Sequence, residues 1–301
     1  MYIKPAKRRR KCRTPVWPIF LLILVIAAVI LFLPKVLDKT VPDSGESSPT
    51  TQSPITEPLT EPVTEPATEP RTEPTTEPFT EPTEAPIALL EATADAGQEY
   101  IDKIIFIGDS TTYSLLYYGM LSDGTKTNQV WTPASRTLTL EHAPTTTILY
   151  PDTGEEITIK EAISRKKPEI VVITLGVNGV SFMGEEYFFV MYKKLIAQIQ
   201  EASPETKIIL QSIFPVATHW EKMDSINNEK IRTANGWILR IAEETGVRYL
   251  DTISVLGVAE DGYLPQDYQN GDGLHLNEKS LGIVLEYIRT HVLPEYVAPA
   301  N

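Results

Sequence analysis

From residue 103 onward, apolar runs and amphipathic stretches alternate along the chain. Continuous apolar runs of strand length predict strands that are buried on both faces, at 103–107 (KIIFI), 170–176 (IVVITLG) and 207–215 (KIILQSIFP), with a shorter strand at 247–252. Amphipathic stretches predict helices at 185–202, 225–246 and 276–292, with a further helix at 110–121 and a helical lead-in at 88–100. Strands that alternate with helices predict one α/β domain of roughly 200 residues, a parallel sheet sandwiched by helices.

The residues before this domain differ in composition from it and from one another. The first 15 residues are basic, with seven Lys or Arg and no acid before Ile19, and an uncharged apolar run extends from Val16 to Leu33. This pattern predicts a cytoplasmic tail (1–15), a transmembrane anchor (16–34) and an extracellular C-terminal bulk, hence a single-pass protein of the cell membrane. The alternative is a cleaved signal peptide, whose apolar region usually spans only about 7–15 residues and ends at a small-residue cleavage site.

Residues 35–87 contain a period-four repeat in which Thr-Glu-Pro recurs. Proline at every fourth position forbids a helix, and the glutamates repel one another, so we expect a disordered, extended stalk. At ~3.1 Å per residue, the part from Pro54 to Pro86 reaches about 100 Å, which suits a spacer across a wall layer. A ligand for a proline-recognition module is the alternative interpretation. The remaining residues, 88–301, form the predicted globular domain.

Charge and composition restrict the partners of this domain. The chain carries a net charge of −13 and concentrates basic residues at its N-terminus, which argues against nucleic acid. Its single cysteine, Cys12, leaves the domain without an internal disulfide. The histidines at 142, 219 and 291 form no cluster with closely spaced carboxylates, and GDSTT lacks the later glycines and lysine of a nucleotide loop, so neither a metal nor a cofactor is expected.

Three polar clusters lie just after predicted strands or before the last helix: Gly108-Asp109-Ser110, Gly176-Val177-Asn178-Gly179 and Asp272-Gly273-Leu274-His275. Each alone is more typical of a helix cap or a turn. Together they contain a nucleophile (Ser110), a base (His275) and a carboxylate that orients the base (Asp272). The backbone N–H of Ser110 and the side-chain amide of Asn178 are candidate donors to an oxyanion. Because ligands collect at the carboxyl ends of parallel strands, we expect these groups to meet there.

These motifs resemble those of the SGNH, or GDSL-type, esterase superfamily of flavodoxin-like α/β hydrolases, over residues 101–292. The resemblance implies that Ser110 is the nucleophile, that Asn178 is the oxyanion asparagine, and that Asp272 and His275 form the terminal Asp-x-x-His block. Two departures are visible. Gly179 stands where the family commonly has Asp, and residues 128–140 contain no glycine for the second block. The third oxyanion donor is therefore expected among Ala134, Ser135 and Arg136, with Ser135 as the candidate.

The predicted activity is a serine esterase that removes O-acetyl or other short acyl groups from cell-wall or capsule polysaccharide. An O-acyltransferase, a wall-glycan binding module with this fold and a lysophospholipase are the alternatives. Arg136 is either a contact for an anionic substrate group or an ordinary surface residue. Trp131, Trp220 and Tyr263 are candidates to stack on sugars, of which Trp220 is favoured because it lies in a polar loop after a strand.

Overall fold

The computed structural model describes residues 88–297. The predicted tail (1–15), anchor (16–34) and stalk (35–87) lie outside the described residues. Between residues 88 and 297, no helix combines the length and the apolar character needed to cross a bilayer.

A parallel sheet forms the centre of the domain, and a short antiparallel hairpin lies beside it. The strands are β1 (Ile104–Gly108), β2 (Val130–Trp131), β3 (Thr147–Leu149), β4 (Glu156–Thr158), β5 (Ile170–Thr174), β6 (Lys207–Gln211) and β7 (Arg248–Leu250). Five of them pair in parallel in the order β2-β1-β5-β6-β7, while β3 and β4 form the hairpin. Numbered within the sheet, the order is 2-1-3-4-5, the flavodoxin-like arrangement. The predicted α/β fold with a parallel sheet is therefore confirmed.

Helices cover both faces of the sheet. They are α1 (Gly97–Ile101), α2 (Ser110–Tyr117), α3 (Ile159–Lys166), α4 (Glu185–Ala202), α5 (Asn228–Thr245), α6 (Ile253–Leu256) and α7 (Glu278–Arg289). Alternate residues of β1 point to opposite faces, so Ile105 and Ile107 join the core under α3, α4 and α5, and Ile104 and Phe106 join the core under α1, α2 and α7. This double burial explains why the central strands read as unbroken apolar runs.

The predicted helical lead-in at 88–100 is wrong for residues 88–96, before Gly97. Helix α1 begins only at Gly97, and residues 88–90 run extended beside β7. The N–H of Leu90 donates to the carbonyl of Tyr249 (2.9 Å), and the N–H of Tyr249 donates to the carbonyl of Ala88 (2.8 Å). Strand β7 is the edge of the sheet, so its backbone groups require these partners.

Helices α2 and α5 are shorter than predicted, for local reasons. Helix α2 ends at Tyr117 and not at residue 121, because Gly119 with φ +64° leaves the helical conformation. Helix α5 starts at Asn228 because Asn227 is its N-cap, whose side chain accepts from the N–H of Lys230. Helix α4, in contrast, has the predicted bounds 185–202.

Candidate active site

The predicted site residues lie at the carboxyl edge of the sheet, where the chain reverses its direction of winding. Ser110 is the first residue of α2, directly after β1, and Asn178 follows the neighbouring strand β5. Strand β1 has β2 on one side and β5 on the other, so the connections leaving it diverge at this point. Such a topological switch point leaves a crevice for ligands.

Gly108 allows α2 to start close against β5. A Cβ at this position would lie 2.0 Å from Thr112 Oγ1 and 2.6 Å from the carbonyl oxygen of Thr174, so a side chain does not fit. This close approach positions Ser110 at the helix start, beside the end of β5. The backbone N–H of Ser110 is one of the first-turn groups that a helix leaves without an intrahelical acceptor.

Ser110, His275 and Asp272 form a continuous chain of hydrogen bonds. Ser110 Oγ lies 2.8 Å from His275 Nε2, and His275 Nδ1 lies 2.6 Å from Asp272 Oδ2. The other carboxylate oxygen of Asp272 accepts from the backbone N–H groups of Leu274 (2.8 Å) and His275 (2.9 Å). Partial burial opposes ionisation of Asp272, but the hydrogen bonds from His275 and Leu274 outweigh it and lower the pKa of this carboxyl. The structure thus brings together three residues that are 165 positions apart at most.

The loop that carries Asp272 and His275 is held by contacts from both sides. Gln269 Oε1 accepts from the N–H groups of Gly271 (2.5 Å) and Gly273 (3.1 Å), and the carbonyl of Gly273 accepts from the N–H of Ala217 (2.8 Å). Gly273 has φ +81°, which favours glycine in this turn. Asn277 then caps α7 by accepting from the N–H of Ser280, so the helix starts two residues later than the sequence pattern predicts.

Asp109 is a functional candidate that the sequence reasoning missed. It is fully buried and is the N-cap of α2, where its Oδ1 accepts from the backbone N–H (2.9 Å) and the hydroxyl (2.8 Å) of Thr111. Its Oδ2 accepts from Asn178 Nδ2 at 3.1 Å. Burial raises the pKa of Asp109 to about 6 against the opposing hydrogen bonds from Thr111. A helix-capping Asp directly after a buried strand is the signal that points to this residue.

Asn178 therefore has a fixed orientation. One amide hydrogen is directed to Asp109, and Nδ2 also lies 3.4 Å from the carbonyl oxygen of Leu138, a marginal contact. An amide nitrogen carries two hydrogens, so donation to an oxyanion would use the hydrogen that makes this weaker contact with Leu138. At Gly179, a Cβ would lie 2.7 Å from Met183 Sδ, so the flexible side chain of Met183 would have to move to admit a larger residue.

The segment of residues 133–138, between β2 and β3, contains the expected third oxyanion donor. Pro133 has no N–H, and the N–H of Arg136 already donates to the carbonyl of Pro133 (2.8 Å). The N–H groups of Ala134 and Ser135 have no acceptor among the described residues. Ser135 is exposed, and its Oγ accepts from the N–H of Thr137 (3.3 Å). Its role stays a prediction.

The other aromatic and histidine candidates lie in the core, on the surface or next to the site. Trp131 is fully buried and packs edge-to-face on Tyr150, so it is a core residue and not a cleft residue. Trp220 lies against the loop of Asp272 and His275, since its backbone N is 3.1 Å from where a Gly273 Cβ would stand. His219 Nε2 approaches the same position, at 3.4 Å. Tyr263 is partly buried and follows a short 3₁₀ turn.

The two remaining histidines take no part in the site. His142 is exposed beside Glu141, and His291 stacks on Tyr287 with 3.7 Å between the ring centroids. Over residues 88–297, no group of three or more His, Cys, Asp or Glu is placed to hold a metal ion.

A flavodoxin-like sheet with a Ser–His–Asp relay at its switch point defines a serine hydrolase. The sequence profile of the GDSL-like lipase/acylhydrolase family matches residues 106–280, more than half of the chain. The chain belongs to this family, and it is a serine ester hydrolase.

Solved structures with similar folds include a lipase and a carbohydrate esterase. A GDSL-like lipase from Bacteroides thetaiotaomicron is 19% identical, with a TM-score of 0.44, and the match covers 63% of this chain and 93% of that chain. A carbohydrate esterase family 3 protein from Talaromyces cellulolyticus is 18% identical, with a TM-score of 0.42, and the match covers 62% of this chain and 93% of that chain. A search of curated protein sequences found no match. Family membership therefore rests on the sequence match over residues 106–280.

Proposed function

We propose that Ser110 is the nucleophile of an esterase that removes O-acetyl or other short acyl groups from cell-wall or capsule polysaccharide. The observation that carries this proposal is the relay from Ser110 Oγ to His275 Nε2 (2.8 Å) and from His275 Nδ1 to Asp272 (2.6 Å). His275 accepts the Ser110 proton as Oγ attacks the ester carbonyl, and Asp272 stabilises the imidazolium that forms. His275 then protonates the leaving alkoxide of the sugar. A water molecule, activated by the same histidine, releases the acid from the acyl-serine.

The oxyanion of each tetrahedral intermediate needs donors that are aimed before the reaction starts. We assign the backbone N–H of Ser110 and the side-chain amide of Asn178 to this role, with the N–H of Ser135 as the third donor. Asp109 supports the assignment, because its carboxylate holds the Asn178 amide at 3.1 Å. A donor that is already oriented costs no reorganisation when charge develops.

Two features support a short acyl group and a wall polymer. A cavity of about 10 Å³, room for about one water-sized group, is lined in part by Asp109, Val177 and Leu274, the sequence neighbours of Ser110, Asn178 and His275. The predicted anchor (16–34) and stalk (35–87) would hold the domain outside the cell at the depth of the wall. The substrate is therefore inferred from location as well as from the site.

The catalytic assignment is tested with p-nitrophenyl acetate and a fluorophosphonate probe. The full chain should hydrolyse the ester and carry the label on the peptide that contains Ser110, and Ser110→Ala should lose both. Ser122→Ala is the matched control, because Ser122 is an exposed serine beyond the far end of α2. Equal rates for the full chain and Ser110→Ala, or a label on another residue, would contradict the assignment.

The topology is tested with the single cysteine of the chain. If Cys12 lies in the cytoplasm, a membrane-impermeant maleimide should label it only after the cells are lysed. A Cys12→Ser variant with Ser254→Cys, which places a thiol on the exposed surface of α6, should be labelled in intact protoplasts. Labelling of Cys12 in intact protoplasts would reverse the proposed orientation, and release of the protein into the medium would point to a cleaved signal peptide.

A further inference from the structure

The segment 133–138, called here the rim segment, borders the candidate active site along one side. Its first residue, Pro133, comes two residues after Trp131. Because Trp131 pairs with Ile107, Pro133 lies level with Asp109 along the strand direction, next to Ser110. The segment ends at Leu138, whose carbonyl oxygen lies 3.4 Å from Asn178 Nδ2. The rim segment therefore runs from the neighbourhood of the nucleophile to the predicted oxyanion asparagine.

Arg136 extends from the rim segment onto the helix that carries the nucleophile. Its guanidinium carbon lies 4.1 Å from the ring centroid of Tyr113. Tyr113 is three residues after Ser110 in α2, so the two side chains are neighbours on one face of the helix, with Cβ atoms about 5–6 Å apart. The guanidinium of Arg136 therefore contacts the first turn of the helix that begins at Ser110.

The backbone around Arg136 holds this side chain in place. Arg136 has φ +61°, a left-handed conformation that is uncommon for a residue with a side chain. Its N–H closes a tight turn by donating to the carbonyl of Pro133 (2.8 Å). An uncommon backbone conformation that places a charged side chain beside a nucleophile is typical of binding sites.

The positive charge of Arg136 has no partner among residues 88–297, where no carboxylate forms an ion pair with it. Other basic residues between 88 and 297, among them Lys126 and Arg232, also form no ion pair, so Arg136 is distinguished by its contact with the helix that begins at Ser110. Arg136 is exposed, and its guanidinium N–H groups donate to no acceptor among residues 88–297. Those donors match the two oxygens of a carboxylate.

We propose that Arg136 binds a carboxylate on the sugar that bears the acyl group, so that the substrate is an acylated acidic glycan. This inference rests on the proposed function, because it names the substrate class of the same site. The rim segment presents the acidic sugar so that its acylated hydroxyl reaches Ser110, while the carboxylate forms charge-assisted hydrogen bonds with Arg136. Neutral acylated sugars occupy the site without this contact.

Binding to the inactive Ser110→Ala full chain tests the proposal without requiring turnover. The probes are acetylated methyl glucuronoside and its uncharged analogue, acetylated methyl glucuronamide, compared by calorimetry at low ionic strength. We expect the acid to bind about tenfold more tightly than the amide, the preference of a bidentate, charge-assisted hydrogen bond. Adding Arg136→Gln should bring the ratio of the two dissociation constants close to one. Raising the salt to about 1 M, where the Debye length is ~3 Å, should also reduce the ratio.

The matched control is Lys126→Gln, which removes one positive charge from an exposed position. Lys126 precedes β2, whereas the rim segment follows it, so the two lie at opposite ends of this strand. Lys126→Gln should keep the tenfold ratio. Failure of the acid to bind more tightly than the amide, or a ratio that survives Arg136→Gln, would overturn the proposal. Acetate release by the chain with Ser110 intact reports separately on the proposed function. If Ser110→Ala discriminates between the two sugars but the chain with Ser110 intact releases acetate from neither, the anion site stands and the proposed deacetylation is rejected.

Discussion

Replacing Asp109 with Asn should separate the stability of the domain from its activity. Asp109 is the fully buried carboxylate that joins the N-cap of α2 to Asn178. In Asp109→Asn, the remaining carbonyl oxygen still accepts from Thr111. The new amide faces the Nδ2 of Asn178, so two donors meet where a donor and an acceptor met before. Asn178 has to turn away or flip its amide.

The effect on stability at neutral pH should be small, because two contributions of similar size cancel. Burial of the carboxyl raises its pKa from 3.8 to about 6, and at about 1.4 kcal/mol per tenfold change in proton affinity the buried charge costs about 3 kcal/mol at pH 7. The lost hydrogen bond between the ionised carboxylate and Asn178 is worth about 1.5–3 kcal/mol. The substitution removes both, so the free energy of unfolding should change by no more than about 1 kcal/mol.

The effect on activity should be large. Removing one oxyanion donor typically lowers kcat by about 10²–10³-fold, and a misdirected Asn178 amide is such a loss. We therefore expect kcat for p-nitrophenyl acetate to fall about 10²-fold in Asp109→Asn, with the far-ultraviolet spectrum unchanged. Asp123→Asn is the matched control, since Asp123 is exposed and its left-handed φ of +67° suits Asn. A kcat within twofold of the original would refute the role of Asp109 in orienting Asn178.

The pH dependence of unfolding provides a second readout for the same substitution. The folded pKa of Asp109, about 6, lies above its unfolded value of 3.8, so the folded state holds this proton more tightly. As the pH rises from about 4 to 6, the unfolded state loses the proton first, and the contribution of Asp109 to stability declines. Urea unfolding at pH 4.5 and 7.5 should show that Asp109→Asn gains stability relative to the original chain as the pH increases. If the difference in free energy of unfolding between the two chains does not change with pH, the cost of burying a charge does not come from Asp109.

Three further predictions concern the supports of the site. Asp272→Asn should lower kcat/KM for p-nitrophenyl acetate by roughly 10³-fold, because His275 loses the carboxylate that fixes its tautomer, and a loss under tenfold would contradict this role. Gly108→Ala should lower the free energy of unfolding by about 3 kcal/mol in urea titrations, because its Cβ would meet a backbone carbonyl at 2.6 Å. The control Gly236→Ala, in α5 with no atom within 4 Å of the new Cβ, should raise it by about 0.5–1 kcal/mol. Asn235→Ala should cost about 2–4 kcal/mol in the same titration, because the buried N–H and carbonyl of Ile213 lose their side-chain partners at 2.7 and 3.0 Å; a cost below 1 kcal/mol would show that other groups replace them.

The fold was predictable where local pattern and tertiary structure agree. Helix α4 has both its predicted bounds, and β1, β5 and β6 lie within or next to the apolar runs that predict them. Ser110, Asn178 and His275 belong to segments far apart in the chain, yet the sequence indicates that they meet, since the carboxyl ends of parallel strands share one edge of the sheet. In these places a periodic pattern or a strand-end motif contains the needed information.

The sequence could not predict elements that form only through distant pairing. Strand β2 has two residues, too few for any periodicity, and it is a strand because Val130 pairs with Phe106. Residues 88–90 are extended because the edge of β7 needs hydrogen-bond partners, although their apolar pattern is compatible with a helix. The rim segment follows β2. Because the sequence does not reveal the pairing of β2 with β1, it could not show where the candidate third oxyanion donor and Arg136 lie.

The two carboxylates beside the nucleophile also show why residue type alone was insufficient. Asp272 is partly exposed, and its hydrogen bonds with His275 and Leu274 lower its pKa although burial opposes them. Asp109 is buried, and burial raises its pKa although it accepts hydrogen bonds from Thr111. Environments that separate two nearby carboxyls in this way also separate their tasks. In the proposed mechanism, Asp272 stabilises the positive charge that develops on His275, and Asp109 orients the Asn178 amide that donates to the negative charge on the substrate.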